Sequence, residues 1–212
     1  MIDFYSFIEH LRIHLNDLPG EKAHANLMPV NRPFTSEALE RKPNYRKSAV
    51  ALIIFPENED IKSILIQRPD YNGTHGGQVS FPGGKMDDTD TDLEFTARRE
   101  AFEEINFPLE AGNFLGKLSE IYIPPSNFLV EPNVFYVNNI PNLIGDKREV
   151  QSIITFNLFD LLHPDSFKVG DIRNINHLTR KNIPYFEIQD HKVWGATGMI
   201  LAEMKEIILR IV

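Results

Sequence analysis

The chain has 212 residues, of which 42% are hydrophobic and 25% charged, enough for one ordinary globular domain with its own core. A formal net charge of −8 argues against a nucleic-acid-binding surface, and the lack of cysteine excludes a disulfide framework and thiol chemistry. The longest apolar run, Ala49 to Phe55, is far too short to span a bilayer, and the acidic start MIDFYSFIEH is unlike a secretory signal; a cytoplasmic protein with no membrane partner is expected.

Phe4, Phe7, Ile8, Leu11 and Leu15 follow the spacing of an amphipathic helix, which should end near Asn16, before Pro19-Gly20. Residues 17–45 show little periodicity and contain four prolines (Pro19, Pro29, Pro33 and Pro43), so residues 1–45 read as a helix followed by a loop-like arm. Ser36 to Glu40 could form one helical turn within it. Arg32, Arg41, Lys42, Arg46 and Lys47 cluster in and after this arm, either as solvated loop charges or as contacts for an anionic substrate. The catalytic core is expected over residues 46–212, the whole chain forming a single domain. Ala49 to Phe55 and Ile61 to Gln67 read as strands of a hairpin turning through Pro56 to Asp60. Arg68 then leads into a Gly-rich stretch, Asn72 to Gly77, of the kind that lets backbone approach a ligand. His75 within it is a candidate for substrate contact, with an exposed or structural histidine as the alternative. Gln78 to Phe81 should be a short strand.

The next stretch, FPGGKMDDTDTDLEFTARREAFEEINF from Phe81 to Phe107, opens on a Pro-Gly-Gly turn, passes through an acidic loop and closes on a helix. Helical spacing puts Glu100, Glu103 and Glu104 on one face, where three like charges are destabilising unless a cation sits among them. Hard divalent cations such as Mg²⁺ take carboxylates, waters and substrate phosphates, so this face reads as a metal platform. Arg99 and Glu103, four apart, can pair and fix the Glu103 carboxylate. Ala97, Ala101, Ile105 and Phe95 supply the buried stripe. Asn113 to Ile123 and Leu129 to Val137 read as strands around Pro124-Pro125-Ser126-Asn127, a loop able to close over a site, and Pro132 suggests an edge position or a bulge. A strand from Ile153 to Phe156 precedes a short helical segment, Leu158 to Leu162. A second hairpin is expected from Ile172 to Leu178 and Tyr185 to Gln189, turning through Thr179 to Pro184. Trp194 to Ile211 gives a closing amphipathic helix.

The segment Arg99-Glu100-Ala101-Phe102-Glu103-Glu104-Ile105-Asn106-Phe107 resembles the second half of the Nudix hydrolase box, G-x5-E-x7-R-E-U-x-E-E-x-G-U, where U is apolar. Asn106 replaces a glycine, a mild change because asparagine tolerates a left-handed helix end. Asp90 stands near the expected first glutamate, and the loop from Gly84 to Arg99 is one residue longer than the standard box. Asp87, Asp90 and Asp92 are similar to the coenzyme A pyrophosphatase branch, whose box begins FPGGxxDxxDxD. Upstream, LIQRPDYNGTHGGQVSFPGG resembles the same branch's LLTxRxxxLxxHxGQVxFPGG through Leu65, Arg68, His75, Gly77, Gln78, Val79 and Ser80, without the pattern's middle leucine. VWGATGMILAEM resembles its closing WGxTxxxL through Trp194, Gly195, Thr197 and Leu201.

The resemblance implies a Nudix-type α/β/α sandwich around a mixed β-sheet, and Mg²⁺ or Mn²⁺ held by Glu100, Glu103, Glu104 and a backbone carbonyl at Gly84. It offers Arg68, His75 and Gln78 as substrate-binding candidates. Arg99 would orient Glu103; the base would be one of Glu100, Glu103 and Glu104, or else Glu149, from a loop beyond the box, which could instead complete the metal site. The reaction implied is hydrolysis of the diphosphate of coenzyme A or acyl-CoA to (acyl-)4′-phosphopantetheine and adenosine 3′,5′-bisphosphate. Another nucleoside diphosphate-X, such as ADP-ribose or NADH, is the first alternative; a catalytically silent nucleotide-binding module is the second. The long arm is compatible with a homodimer.

Overall fold

The computed structural model describes residues 2–29, 32–41, 44–69, 77–173 and 179–212. Its centre is β1 (Arg46–Glu57), whose apolar run is buried on both faces as befits an interior strand. The alternation along it divides the core. Ala49, Ala51, Ile53 and Phe55 face one hydrophobic cluster, whereas Leu52 and Ile54 face another. β2 (Asp60–Gln67) pairs antiparallel with β1 through a tight turn at Asn58-Glu59, both with positive φ. β3 (Val79–Ser80) pairs with β2, and β4 (Gly83–Lys85) returns antiparallel to β1.

Helix α4 (Leu93–Ile105), the fourth α-helix among the described residues, covers one face of the sheet. Asp92 caps its first turn by accepting from the Phe95 N–H at 2.8 Å, and Asn106 ends it in the left-handed conformation at φ 56°. Ala97, Ala101 and Ile105 form the buried stripe as expected. Phe95 does not join them but is 37% exposed, and Thr96 and Glu104 are buried instead. β5 (Asn113–Lys117), β6 (Ile121–Ile123) and β7 (Phe128–Tyr136) follow, where two strands were expected.

Pro132 is neither at an edge nor at a bulge of its own strand: β7 lies inside the sheet, parallel to β1 and flanked on its other side by β5 and β6. Those two flanking strands are short, and Pro132 falls at the gap between their paired stretches. Its carbonyl accepts the Leu118 N–H at 2.9 Å, so its missing donor faces a join with no ladder bond to lose. β8 (Ser152–Asn157) closes the sheet against β2.

A separate antiparallel sheet contains β9 (Phe167–Arg173), β10 (Thr179–Ile188) and β11 (His191–Val193). Thr179 to Pro184, expected to turn, belongs to β10, with a register shift between Arg180 and Ile183; residues 174–178 lie outside the described residues. Closing helix α5 (Gly195–Ile211) packs with α1 (Phe4–His14) on the sheet face opposite α4. The result is the expected mixed-sheet sandwich. Among the described residues no helix is long and apolar enough to cross a membrane.

The arm is not a structureless loop. It carries α2 (Glu21–His24), a 3-10 turn at Ala25–Leu27 and α3 (Thr35–Arg41), short elements whose few apolar positions leave little helical periodicity to read. The arm is fastened from beneath by Glu203 of α5, a fully buried carboxylate. Glu203 accepts from the Gly20 N–H (2.9 Å), the Ser119 N–H (3.0 Å) and the Ser119 hydroxyl (2.6 Å), and lies 3.2 Å from His24 Nε2. Burial alone would raise its pKa, but the bonds from His24 and Ser119 outweigh that and hold it below the ordinary value of 4.5. Its stabilisation is therefore complete above pH 4.5 and lost as pH falls through the lowered value. Glu203→Gln, which points an amide donor at other donors, should cost about 3 kcal/mol at neutral pH. Urea melts of both proteins from pH 7 downward should show the gap closing only in acid; an equal gap at all pH values would mean that the charge is irrelevant.

Candidate active site

The site begins with the glycine turn. β4 runs against β1 with Gly83 opposite Val50 and Gly84 opposite Ala49, while the Pro82 carbonyl accepts the Ala51 N–H at 2.8 Å. A β-carbon on Gly83 would fall 2.4 Å from the Ala49 carbonyl oxygen, so the close approach requires glycine. At Gly84 a β-carbon would meet the Glu100 carboxylate at about 2.5 Å, which shows how closely α4 lays that side chain over the turn.

The three helix glutamates occupy different surroundings. Glu100 lines an adjoining cleft; burial raises its pKa against the pull of Arg99. Glu104 is buried beneath the turn, its Oε2 accepting the Gly83 N–H at 2.8 Å and its Oε1 the Arg68 Nη1 at 3.3 Å. Burial pushes its carboxyl up to about 8 even so. Glu103 is half exposed and bonded to Arg99 at 3.1 Å, the pairing that the four-residue spacing predicted.

Arg99 does more than hold Glu103. It makes a two-bond pair with Asp90, both contacts at 2.9 Å, and donates to Glu100 Oε1 and to the Lys85 carbonyl at 3.0 Å each. Asp90 also accepts the Thr96 hydroxyl and the Asp87 N–H, each at 2.9 Å. The Arg99 contact holds the Asp90 carboxyl down to about 2. Asp90 and Thr96 are site residues to which the sequence reading assigned no role, although Asp90 stood where the box expects a glutamate. Its side chain is one methylene shorter, and the loop that carries it is one residue longer.

The cleft has a volume of about 730 Å³. Glu100, Gly84, Arg68, Gln78 and Glu149 all line it. Glu149 is about half exposed, its carboxylate 3.9 Å from Arg68 Nη2, so Arg68 stands between a buried and an exposed carboxylate. Arg68 Nε and Ser80 Oγ are buried without partners among the described residues, two polar atoms in the cleft wall available to a ligand. Pro124, Pro125 and Ser126, from the loop read as able to close over a site, border the cleft, and Trp194, Gly195 and Thr197 line it at the start of α5. His75 lies outside the described residues.

The basic cluster separates. Arg41 pairs with Glu37 in solvent, and Arg46 donates to the Ser126 carbonyl over the Phe128 ring, whereas Arg32 lines the cleft. Lys42 lies outside the described residues.

The donor set suits a hard divalent cation: carboxylate and carbonyl oxygens, with no sulfur. Asp87, Asp90, Glu100, Glu103, Glu104 and Glu149 share Arg68 and Arg99 in the described ion pairs, an excess of negative charge that a cation would neutralise. Among the described residues no three such groups already converge on one metal position. Arg99 holds two of the glutamates, and Glu104 is turned toward Gly83.

A family model described as the NUDIX domain matches residues 45–166. Two relatives named Nudix hydrolase NudL, both uncharacterized, are similar to this chain. That of Yersinia enterocolitica (serotype O:8 / biotype 1B) is 34% identical over 145 residues, 68% of this chain and 72% of its own. That of Yersinia pestis (strain Pestoides F) is 35% identical over 164 residues, 76% of this chain and 79% of its own. A MutT/nudix family protein from Enterococcus faecalis has the same fold, with a TM-score of 0.51 at 13% identity over 89% of this chain and 73% of that one.

The two glycines of the turn should respond differently to alanine. Gly84→Ala meets only the end of a side chain, so stability should stay within about 1 kcal/mol while the displaced Glu100 lowers phosphohydrolase activity. Gly83→Ala meets backbone and should destabilise by roughly 4 kcal/mol or more. Melting temperatures and turnover of the two variants check this; equal effects on both measures would contradict it.

Proposed function

Because the chain belongs to the Nudix hydrolase family, enzymes that cleave nucleoside diphosphate-linked substrates with divalent metal ions, we propose that it hydrolyses the diphosphate of coenzyme A or an acyl derivative. The products would be (acyl-)4′-phosphopantetheine and adenosine 3′,5′-bisphosphate. One observation carries this reading. The stretches that set this chain apart around the box, from Arg68 and Gln78 upstream to Trp194, Gly195 and Thr197 near the end, wall the same cleft as Glu100. Residues distant in sequence, and similar to those of the coenzyme A branch, are thus in reach of one substrate. We read the arm and the core as one domain, because Arg32 and Pro33 of the arm line that cleft as well. A cytoplasmic setting suits this substrate and a chain without cysteine.

Glu100, Glu103, Glu104 and the Gly84 carbonyl would hold Mg²⁺ or Mn²⁺. When bound, the ion supplies charge neutralisation on the diphosphate oxygens. Arg68 adds a guanidinium that meets the same oxygens while keeping Glu104 and Glu149 in place. Water attacks one phosphorus in line, the bridging P–O bond breaks, and the departing phosphate keeps the bridging oxygen. Glu149, exposed at the cleft, accepts the proton of the attacking water. Arg99 touches no substrate in this scheme. It keeps Glu100 and Glu103 at fixed positions against Asp90.

A mass-resolved assay with coenzyme A, ADP-ribose and NADH, each with Mg²⁺ or Mn²⁺, tests the proposal on wild type and Glu100→Gln. Wild type should release adenosine 3′,5′-bisphosphate from coenzyme A, and the variant should lose more than about 100-fold, beyond the usual effect of a supporting residue. Preference for ADP-ribose or NADH would retain the site and replace the substrate. Tight nucleotide binding without cleavage would make the domain a silent sensor.

A further inference from the structure

The cleft extends well beyond the carboxylates, and its far wall carries an arginine that no part of the hydrolytic scheme uses. Arg32 sits in the arm between α2 and α3, and its Nη2 donates to the Tyr122 carbonyl at 2.5 Å. Thr35 Oγ1 accepts the Tyr122 N–H at 3.1 Å, so both backbone polar groups of this β6 residue are tied to the arm. That arrangement fixes the guanidinium in space. It also places it far from the diphosphate position, because Gly84 pairs with Ala49, Ala49 with Glu131, and Val130 beside it with Ile121. Three strand spacings separate the turn from β6, about 14 Å.

Arg32 is half-buried and lines the cleft together with Pro29 and Pro33, yet no carboxylate among the described residues pairs with it. The other arm arginine, Arg41, has its own glutamate. Burial draws Arg32 down to about 10, with no opposing contribution from an acidic neighbour. A desolvated cation without a counter-charge is costly, and a guanidinium with one donor engaged keeps others for a planar or tetrahedral anion.

We propose that Arg32 forms an anion subsite that receives a phosphomonoester of the substrate remote from the diphosphate that is cleaved. The inference rests on the reading of the cleft as the nucleotide site, and it makes Arg32 a specificity-determining residue. The diphosphate is held at the glycine turn and the remote phosphate at β6, so substrates lacking the second phosphate lose binding and keep the chemistry.

The test uses nucleotide pairs that differ only in that phosphate: coenzyme A against 3′-dephospho-coenzyme A, and NADPH against NADH. Wild type should favour the phosphorylated member through KM. Arg32→Ala should raise KM for that member about 10- to 100-fold, leave the other unchanged and leave kcat nearly unchanged for both. Arg32→Lys, which keeps the charge and a donor to Tyr122, should restore much of the preference. A uniform loss across each pair, or an unchanged KM ratio, would reduce Arg32 to fastening the arm. If wild type cleaves none of these compounds, the hydrolysis proposal fails by itself. Calorimetric binding of adenosine 3′,5′-bisphosphate against AMP, to wild type and Arg32→Ala, then decides the subsite: selective loss for the bisphosphate supports it, and equal binding in both proteins overturns it.

Discussion

One guanidinium organises the acidic side chains around helix α4. Arg99 is bonded at once to Asp90, Glu100, Glu103 and the Lys85 carbonyl, and so joins the acidic loop, helix α4 and the strand that carries the turn glycines. Without it, the three carboxylates that it joins would repel one another. With it, each oxygen has a defined place before any substrate arrives. Asp90 is the fixed end of the arrangement: it is buried, accepts four hydrogen bonds counting both from Arg99, and stays ionised to about pH 2. Glu100 and Glu103 are the ends with freedom to change partners. If they turned to hold a cation, Arg99 would stay tethered through Asp90.

The glycine turn is the other half of the constraint. β4 is only three residues long, yet Gly83 brings its backbone against β1 where no side chain would fit. That approach lets the buried Glu104 accept a backbone N–H, and it puts Gly84 beneath Glu100. Neither the helix nor the turn makes the site alone. Their meeting fixes one carboxylate inside, one at the cleft wall and one in solvent, and so separates three residues that a helical projection places on a single face.

Much of this was readable in the sequence where local rules dominate. The hydrophobic period located α1, α4 and α5, and Asn106 takes the left-handed end that its substitution for glycine implied. Local rules failed where tertiary partners decide. Pro132 signalled an edge, but the two short strands beside β7 leave a gap that accommodates a residue without an N–H. Thr179 to Pro184 carries turn-like composition, yet pairing with β9 draws it into a strand. Asp90 was marked by its place near the first glutamate of the box, but not its role, which comes from reaching Arg99 and Thr96 in the folded chain. Arg32 could not be told from its basic neighbours, since only the folded arm decides which of them enters the cleft.

The arm is ordered by contacts of its own. It is fastened at two points that do not depend on a ligand: Glu203 holds Gly20 and His24 against α5, and Tyr122 holds Arg32 and Thr35 along the outer side of β6. Covering that side also protects a short strand whose backbone would otherwise be exposed. A guanidinium carried on a free loop would lose conformational entropy on meeting an anion, and that loss would offset much of the attraction between them. Here the ordering cost is met during folding, by a buried carboxylate on one side and a paired strand on the other. Arg32 therefore stands ready in the cleft wall, and an anion meeting it there would leave the glycine turn, about 14 Å away across the sheet, undisturbed.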